Sequence, residues 1–298
     1  MRETLRMPEP SIRPLAKKMR SGDVRTSGRE RRIMRRSGGA LKVSVVTPSF
    51  NQGAYIERTI ESVLAQRGEF ELEYLVVDGG STDETVSILR RYEGRLRFVS
   101  EPDRGQSDAI NKGFRATTGD IVAWLNSDDT YAPGALDAVV TTLARTGARW
   151  CFGECPIIDE RDAEVRSAIA RYKAWVARRY SLRRLVGRNF IPQPATFFRR
   201  DLIDEVGPID ESLHYAMDYD LWLRFARVAE PVFVPRPLAR FRWHGASKTG
   251  AGYSEGAWEC FRIARARARG VERFALAEHL AHLAAQLAVY RLLDAGRR

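Results

Sequence analysis

An α/β fold, with a mostly parallel sheet flanked by helices, is predicted by three features of this sequence. Apolar runs recur at Val43–Pro48, Tyr74–Asp78 and Ile121–Leu125, each too short for a membrane span. Their positions are apolar almost without alternation, the pattern of strands buried on both faces. Between them lie segments whose apolar residues recur at helical spacing, and alternation of strand and helix gives a parallel sheet with crossover helices.

The elements follow in order. Val43–Pro48 is a strand, residues 49–53 a loop, and Tyr55, Ile56, Ile60, Val63 and Leu64 one face of a helix. Tyr74–Asp78 is a second strand, and Ser81 with Glu84 has the spacing of a capping box opening a helix through Tyr92. Leu96–Ser100 predicts a third strand, Ser107–Phe114 a short helix, and Ile121–Leu125 a fourth strand. Further on, Trp150–Gly153 and Pro231–Val234 read as strands, Phe190–Phe198 as a loop entering a strand, and Arg171–Arg188 as a basic, aromatic, mostly helical stretch. Asp201–Val206 is a helix stopped by Gly207 and Pro208. Near the end, Leu276, Leu280, Leu283, Leu287 and Tyr290 form one apolar helix face, a core or oligomer seam, with Glu278, His279, His282 and Gln286 off it.

Charge is unevenly placed. The chain of 298 residues carries a formal +11, but residues 1–40 hold 12 Arg or Lys against 4 Asp or Glu, leaving +3 for the rest. That segment has few large apolar residues and reads as a flexible basic tail, without the apolar stretch of a secretory signal. Cys151, Cys155 and Cys260 lack zinc-like spacing and read as packing residues. The expected location is cytoplasmic, with peripheral contact between the tail and the inner face of an anionic membrane.

Ligands of such sheets bind at the carboxyl ends of the strands. Three polar loops converge there: Thr47-Pro48-Ser49, Asp78-Gly79-Gly80-Ser81 and Asn126-Ser127-Asp128-Asp129. Adjacent carboxylates ending a buried strand need compensation, which a divalent cation with oxygen ligands supplies. An Asx-type turn before Pro133 and Gly134 is the alternative for the last loop.

Taken together, Val43–Gln52, Val76–Asp83, Glu101–Gly113 and Trp124–Asp129 resemble the family 2 inverting glycosyltransferases of GT-A fold, and Met217–Arg224 continues the resemblance. It covers residues 43–247, so the domains expected are the tail 1–40, a GT-A domain 41–247 and a helical extension 248–298. Within the GT-A domain, 41–130 is the nucleotide-sugar half and 131–247 the acceptor half. The resemblance implies that Thr47, Pro48 and Asp78 hold the nucleoside, with Ser49, Asn51 and Gly79 in the same loops. Asp128 matches the metal-binding aspartate for Mn2+ or Mg2+. The family's Asp-x-Asp here reads Asn126-Ser127-Asp128, so Asn126 is left to hydrogen-bond a hydroxyl, and Asp129 to back the metal site or touch the sugar. Arg104 and Lys112 are expected near the diphosphate, and Asp103, Gln106 and Asp108 near sugar hydroxyls. Asp218 aligns with the catalytic base and Asp220 with a helix-start acid. His244 matches a late loop over the diphosphate, as a phosphate or metal contact.

The expected activity is metal-dependent, inverting transfer of a sugar from a nucleotide-diphosphate sugar, a UDP-sugar first among them. The hydroxyl acceptor would be lipid-linked or a polysaccharide, in surface polysaccharide or glycolipid assembly. A nucleotidyltransferase would need a Gly-rich basic loop after the first strand, and a dinucleotide dehydrogenase a G-x-G-x-x-G there; neither is present. A non-catalytic protein binding nucleic acid or membrane would account for the tail but not for an acidic rim, so no nucleic-acid partner is expected.

Overall fold

A computed structural model describes residues 40–245, 248 and 252–295. The basic tail, residues 1–39, lies outside the described residues, and so do Ala246 and Ser247.

The nucleotide half alternates as its sequence predicts: β1 (Leu41–Ser49), α1 (Ile56–Leu64), β2 (Phe70–Asp78), α2 (Thr85–Arg91), β3 (Arg97–Ser100), α3 (Gln106–Ala116) and β4 (Ile121–Trp124). Strands β1 and β2 run longer than their apolar cores. β1 takes in Leu41 and Lys42, and β2 starts with Phe70, Glu71 and Leu72, ahead of its first residue paired with β3, Leu75, where polar residues are acceptable. The capping box is not formed. Ser81 is drawn instead to Asp78, and α2 starts at Thr85, whose N–H donates to Asp83 Oδ1 at 3.0 Å.

The second half supplies β5 (Thr130–Tyr131), α4 (Ala135–Thr146), β6 (Trp150–Glu154), β7 (Ile157–Ile158), β8 (Glu164–Val165), α5 (Ser167–Ala177) and α6 (Leu182–Gly187). A 3-10 turn, Gln193–Ala195, then leads into β9 (Thr196–Arg199), α7 (Arg200–Val206), α8 (Met217–Val228), β10 (Val232–Pro237) and β11 (Ala239–Arg242). The C-terminal region is helical, with α9 (Tyr253–Arg267), a 3-10 turn Gly270–Phe274 and α10 (Ala275–Ala295).

Seven strands form the main sheet in the order β10-β6-β9-β4-β1-β2-β3, while β5, β11, β7 and β8 make a smaller one. Pairing is parallel except at β9, which runs antiparallel between β4 and β6. Helices cover both faces. On one, Val45, Ile60, Leu89 and Leu136 pack under α1, α2 and α4. On the other, Trp222 stacks between Trp124 and Trp150, at 5.5 and 5.9 Å between ring centroids. Ile263, Ala264 and Ala275 of the C-terminal helices join that second core.

The face of α10 that packs inward differs from the expected one. Ala275, His279 and Leu283 are buried, whereas Leu280 is exposed. The reason is a polar partner: His279 Nδ1 lies 2.8 Å from the Val186 carbonyl oxygen, and its ring meets Tyr219 and Phe261. A histidine so satisfied can be buried where periodicity alone assigns it to solvent.

Candidate active site

Parallel register places the strand ends together. Ser49 pairs with Asp78, and Asp78 with Ser100, so the loops after β1, β2 and β3 open on one rim. Asp78 is fully buried and organises this rim. Its carboxylate accepts from Gly80 N–H at 3.2 Å, Ser81 N–H at 2.9 Å, Ser81 Oγ at 2.5 Å and Ser100 Oγ at 2.7 Å. A carboxylate offers about four lone-pair sites. Three of these bonds fall on Oδ2 and one on Oδ1, so Asp78 holds its own loop in shape. The wrap needs a positive φ at Gly80, +83°. Asn51, itself left-handed at φ 52°, ties the neighbouring loop on: its Oδ1 accepts from Thr82 N–H at 2.9 Å and its N–H donates to Ser81 Oγ at 2.7 Å.

Thr47 and Pro48 are buried in β1, and Thr47 Oγ1 is 3.1 Å from Tyr74 Oη, which makes Thr47 a packing partner of the strand. Ser49 Oγ is different: it is buried at the rim without a hydrogen-bond partner. Gly79 is packed closely against its neighbour. A Cβ there would meet Asp103 Oδ2 at 2.7 Å, so the carboxylate of Asp103 overlies the glycine while its Oδ1 accepts from Gly105 N–H at 2.7 Å.

The cations expected at the diphosphate are paired elsewhere. Arg104 bonds Asp108 at 3.0 Å and Glu211 at 2.7 Å, and Lys112 lies 3.3 Å from Glu101 and 3.4 Å from Asp108. Asp108 is buried, which works to raise its pKa. Hydrogen bonds from the Arg104 side chain and backbone, with the Lys112 and Arg104 charges, outweigh burial and hold it at about 2. It fastens the start of α3 and has no free face for a sugar hydroxyl. A cation that sequence reading passed over reaches the rim: Lys248 Nζ donates to Gln106 Oε1 at 3.2 Å. Gln106 Nε2 donates in turn to Asn126 Oδ1 at 2.8 Å, Asn126 Nδ2 to Gln193 Oε1 at 3.1 Å, and Gln193 Nε2 to the Trp124 carbonyl at 2.7 Å. Three amides are thus aligned across the end of β4.

In the loop after β4, Ser127 is buried and its carbonyl accepts from Thr59 Oγ1 at 2.9 Å. Asp129 is fully buried and points inward, accepting from Arg242 N–H at 2.8 Å. Burial first, then the Asp128 charge, raise its pKa, against Arg242. It backs the loop and is not a sugar contact. Asp128 turns the other way, its Oδ2 3.1 Å from His244 Nε2. Arg242 is the buried cation between them: Nε donates to the Asp128 carbonyl at 2.8 Å and Nη2 to Asp162 Oδ1 at 2.5 Å. The basic run Arg240-Phe241-Arg242-Trp243-His244 was its only signal in the sequence. The Asp128 carboxylate suits Mn2+ or Mg2+, whose remaining positions water and phosphate can fill, and an imidazole ligand from His244 would favour Mn2+ of the two. Among the described residues no group of three His, Cys, Asp or Glu forms a closed cage.

Asp218 is the second residue of α8, in the wall of a cavity of about 640 Å³. Gln106, Asn126 and Gln193 line the same cavity, with Lys173 and Lys248. Asp218 Oδ1 accepts from the Tyr219 N–H in the first turn of its helix at 2.6 Å. The turn leading into α8 is held by Glu259 of α9, which accepts from the N–H groups of His214, Tyr215 and Ala216 at 3.2, 2.6 and 2.7 Å. Burial pushes the Asp218 pKa up to about 6, opposed by the Tyr219 N–H and the charge of Lys173. The dipole of the helix start favours the ionised form, but desolvation is the larger effect. Asp220 is excluded as an alternative base, because Arg224 Nε at 2.9 Å and Arg267 Nε at 2.8 Å hold its buried carboxylate.

A nucleotide-type rim joined to a cavity with one perturbed carboxylate, on a mixed seven-stranded sheet, defines a GT-A glycosyltransferase. The model of the family described as glycosyl transferase family 2 matches residues 44–207, and the chain belongs to that family. It is 35% identical over 208 residues to an uncharacterised glycosyltransferase of Mycobacterium tuberculosis, covering 68% of this chain and 75% of that one. An uncharacterised glycosyltransferase of Rickettsia prowazekii is 28% identical over 221 residues, 72% of this chain and 67% of the relative. Among solved structures, residues 1–349 of S. aureus TarS in complex with UDP-GlcNAc superpose with TM-score 0.63 at 18% identity, over 80% of this chain and 72% of that one. This chain spans 43% of the longer TarS chain. The mannosyltransferase PcManGT of Pyrobaculum calidifontis, solved with GDP-Man and Mn2+, gives TM-score 0.59 at 21% identity, over 90% and 85%.

Proposed function

We propose that this glycosyltransferase moves a sugar from a nucleotide-diphosphate sugar to a hydroxyl acceptor with inversion, in surface polysaccharide or glycolipid assembly. The observation that carries the reading is Asp218, with a pKa of about 6, in the wall of a cavity that Gln106 and Asn126 of the rim also line. A base of that pKa is largely ionised at neutral pH yet still basic enough to take a proton in the transition state. Asp218 accepts the acceptor's hydroxyl proton as that oxygen bonds the anomeric carbon and the bond to the diphosphate oxygen breaks. Attack from the face opposite the leaving group inverts the anomer.

Asp128 and His244 would hold the divalent ion, Mn2+ or Mg2+, which when bound supplies Lewis-acid neutralisation of the departing diphosphate. The buried, unpaired Ser49 Oγ beside Asp78 supports a polar ligand at the rim, where Asn51, Asp78 and Asp103 shape the loops around a nucleoside. Lys248 adds positive charge beside Gln106. Fold neighbours have been solved with UDP-GlcNAc and with GDP-Man and Mn2+, which supports a nucleotide-sugar donor without selecting its base. We favour a UDP-sugar and a lipid-linked or polysaccharide acceptor.

A thermal-shift panel of nucleotide sugars with and without Mn2+ tests the donor and the metal together, because a ligand at 100 times its Kd stabilises by about 2.7 kcal/mol. One donor should raise the melting temperature with the metal and not without it, and Asp128→Ala should abolish that shift. A panel with no response, or Asp128→Ala responding like wild type, contradicts the donor and the metal assignment respectively.

A further inference from the structure

Helix α5 has an outer face that the proposed chemistry does not use. Arg171, Tyr172 and Trp175 are exposed along it, with Trp175 56% and Tyr172 40% accessible, and Arg178 and Arg179 are exposed just past its C-terminus. Arg179 lies over the Trp175 ring, 4.9 Å from its centroid. Residues 171–188 contain seven Arg or Lys and no Asp or Glu. Neighbouring acids neutralise part of this charge: Glu154 pairs with Arg178 at 3.0 Å and Glu278 with Arg183 at 2.9 Å. Arg171 and Arg179 have no acidic partner among the described residues. The same helix is a wall of the Asp218 cavity, through Ile169, Tyr172 and Lys173.

We propose that this face is a docking surface for an anionic lipid bilayer. Exposed Trp and Tyr flanked by arginines suit the interface of a membrane, where the rings sit at headgroup level and the guanidinium groups meet anionic headgroups. No helix among the described residues is long and apolar enough to cross a membrane, so docking is peripheral. A bilayer held against α5 lies next to the cavity, so an acceptor carried in that bilayer reaches Asp218 without leaving it. The bilayer is favoured over RNA because the cavity beside the face is lined mainly by apolar side chains such as Ile169, Phe190, Ile191 and Leu283. Docking itself does not depend on the assignment of the base.

Co-sedimentation of the full chain with vesicles of phosphatidylcholine alone, or of equal parts phosphatidylcholine and phosphatidylglycerol, tests the surface. Wild type should partition onto the mixed vesicles and not onto pure phosphatidylcholine. Arg171→Glu with Arg179→Glu should lower partitioning about tenfold or more, since each basic residue near the surface contributes on the order of 1 kcal/mol. Trp175→Ala should lower it too, and Arg171→Lys with Arg179→Lys should keep it. All three positions are exposed, so melting temperature should stay at the wild-type value. Reversal variants that bind like wild type would assign any membrane binding to another part of the chain and overturn the proposal. Equal binding to both vesicle types, no binding to either, or binding of single-stranded RNA instead would overturn it as well.

Discussion

At Asp218 two electrostatic effects oppose each other. The start of α8 favours a carboxylate by its dipole, and burial against the cavity wall favours the acid. Burial prevails, and the folded pKa of about 6 stands above the ordinary 3.8. The consequence for stability has a definite sign. As pH rises through about 4 the unfolded chain loses this proton first, so folding is penalised progressively up to about pH 6 and by a constant amount above it. At about 1.4 kcal/mol per pKa unit, the full penalty is at most ~3 kcal/mol. Asp218→Asn, which carries no charge in either state, should therefore be more stable than wild type at pH 7.5 by about 1–3 kcal/mol, with the gain gone below pH 4. Urea titrations at both pH values check this. A variant no more stable than wild type at pH 7.5 would mean that Asp218 is well solvated.

Among the elements, α9 is the one whose contribution the sequence concealed. Glu259 holds the turn before α8 across a gap of 43 residues or more, and three backbone donors converge on one carboxylate. No local pattern shows such a contact, because capping signals are read within one turn. Its effect is to fix where α8, and Asp218 in its first turn, begins. Glu259→Ala should unsatisfy these donors, at about 1–3 kcal/mol, and lower turnover by displacing the base while donor affinity stays close to wild type. Glu259→Gln, which keeps an acceptor oxygen, should recover most of the loss. Equal turnover in Glu259→Ala and wild type would show that α8 holds Asp218 without help from α9. The C-terminal helix α10 teaches a related lesson: Leu280 and His279 exchanged their expected positions because the Val186 carbonyl gave the histidine a buried partner.

Across the whole molecule, what could be read directly was what is local and repetitive. Apolar runs and helical spacing located β1 to β4 and the helices between them, and the motifs brought the loops of Asp78, Asn126 and Asp128 to one rim. Hidden from that reading were partnerships between distant residues. Arg104 and Lys112 looked available for phosphate, yet Glu211 and Glu101 pair with them. Arg242 and Lys248 reach the site from about 115 and 140 positions along the chain, bonding Asp128 and Gln106. The antiparallel β9 inside the sheet also had no signature, since Thr196-Phe197-Phe198 reads as a strand without direction. Rim and cavity meet only in the assembled fold, and Asp218, the proposed base, lies in the wall of that cavity. Calorimetric donor binding and a transfer assay on one preparation of Asp218→Asn test that role. Donor affinity should remain within a few-fold of wild type while transfer falls by roughly 100-fold or more, the usual contribution of a positioned base. The wild-type rate should lose activity as pH drops through about 6. Transfer by Asp218→Asn within a few-fold of wild type would contradict the account.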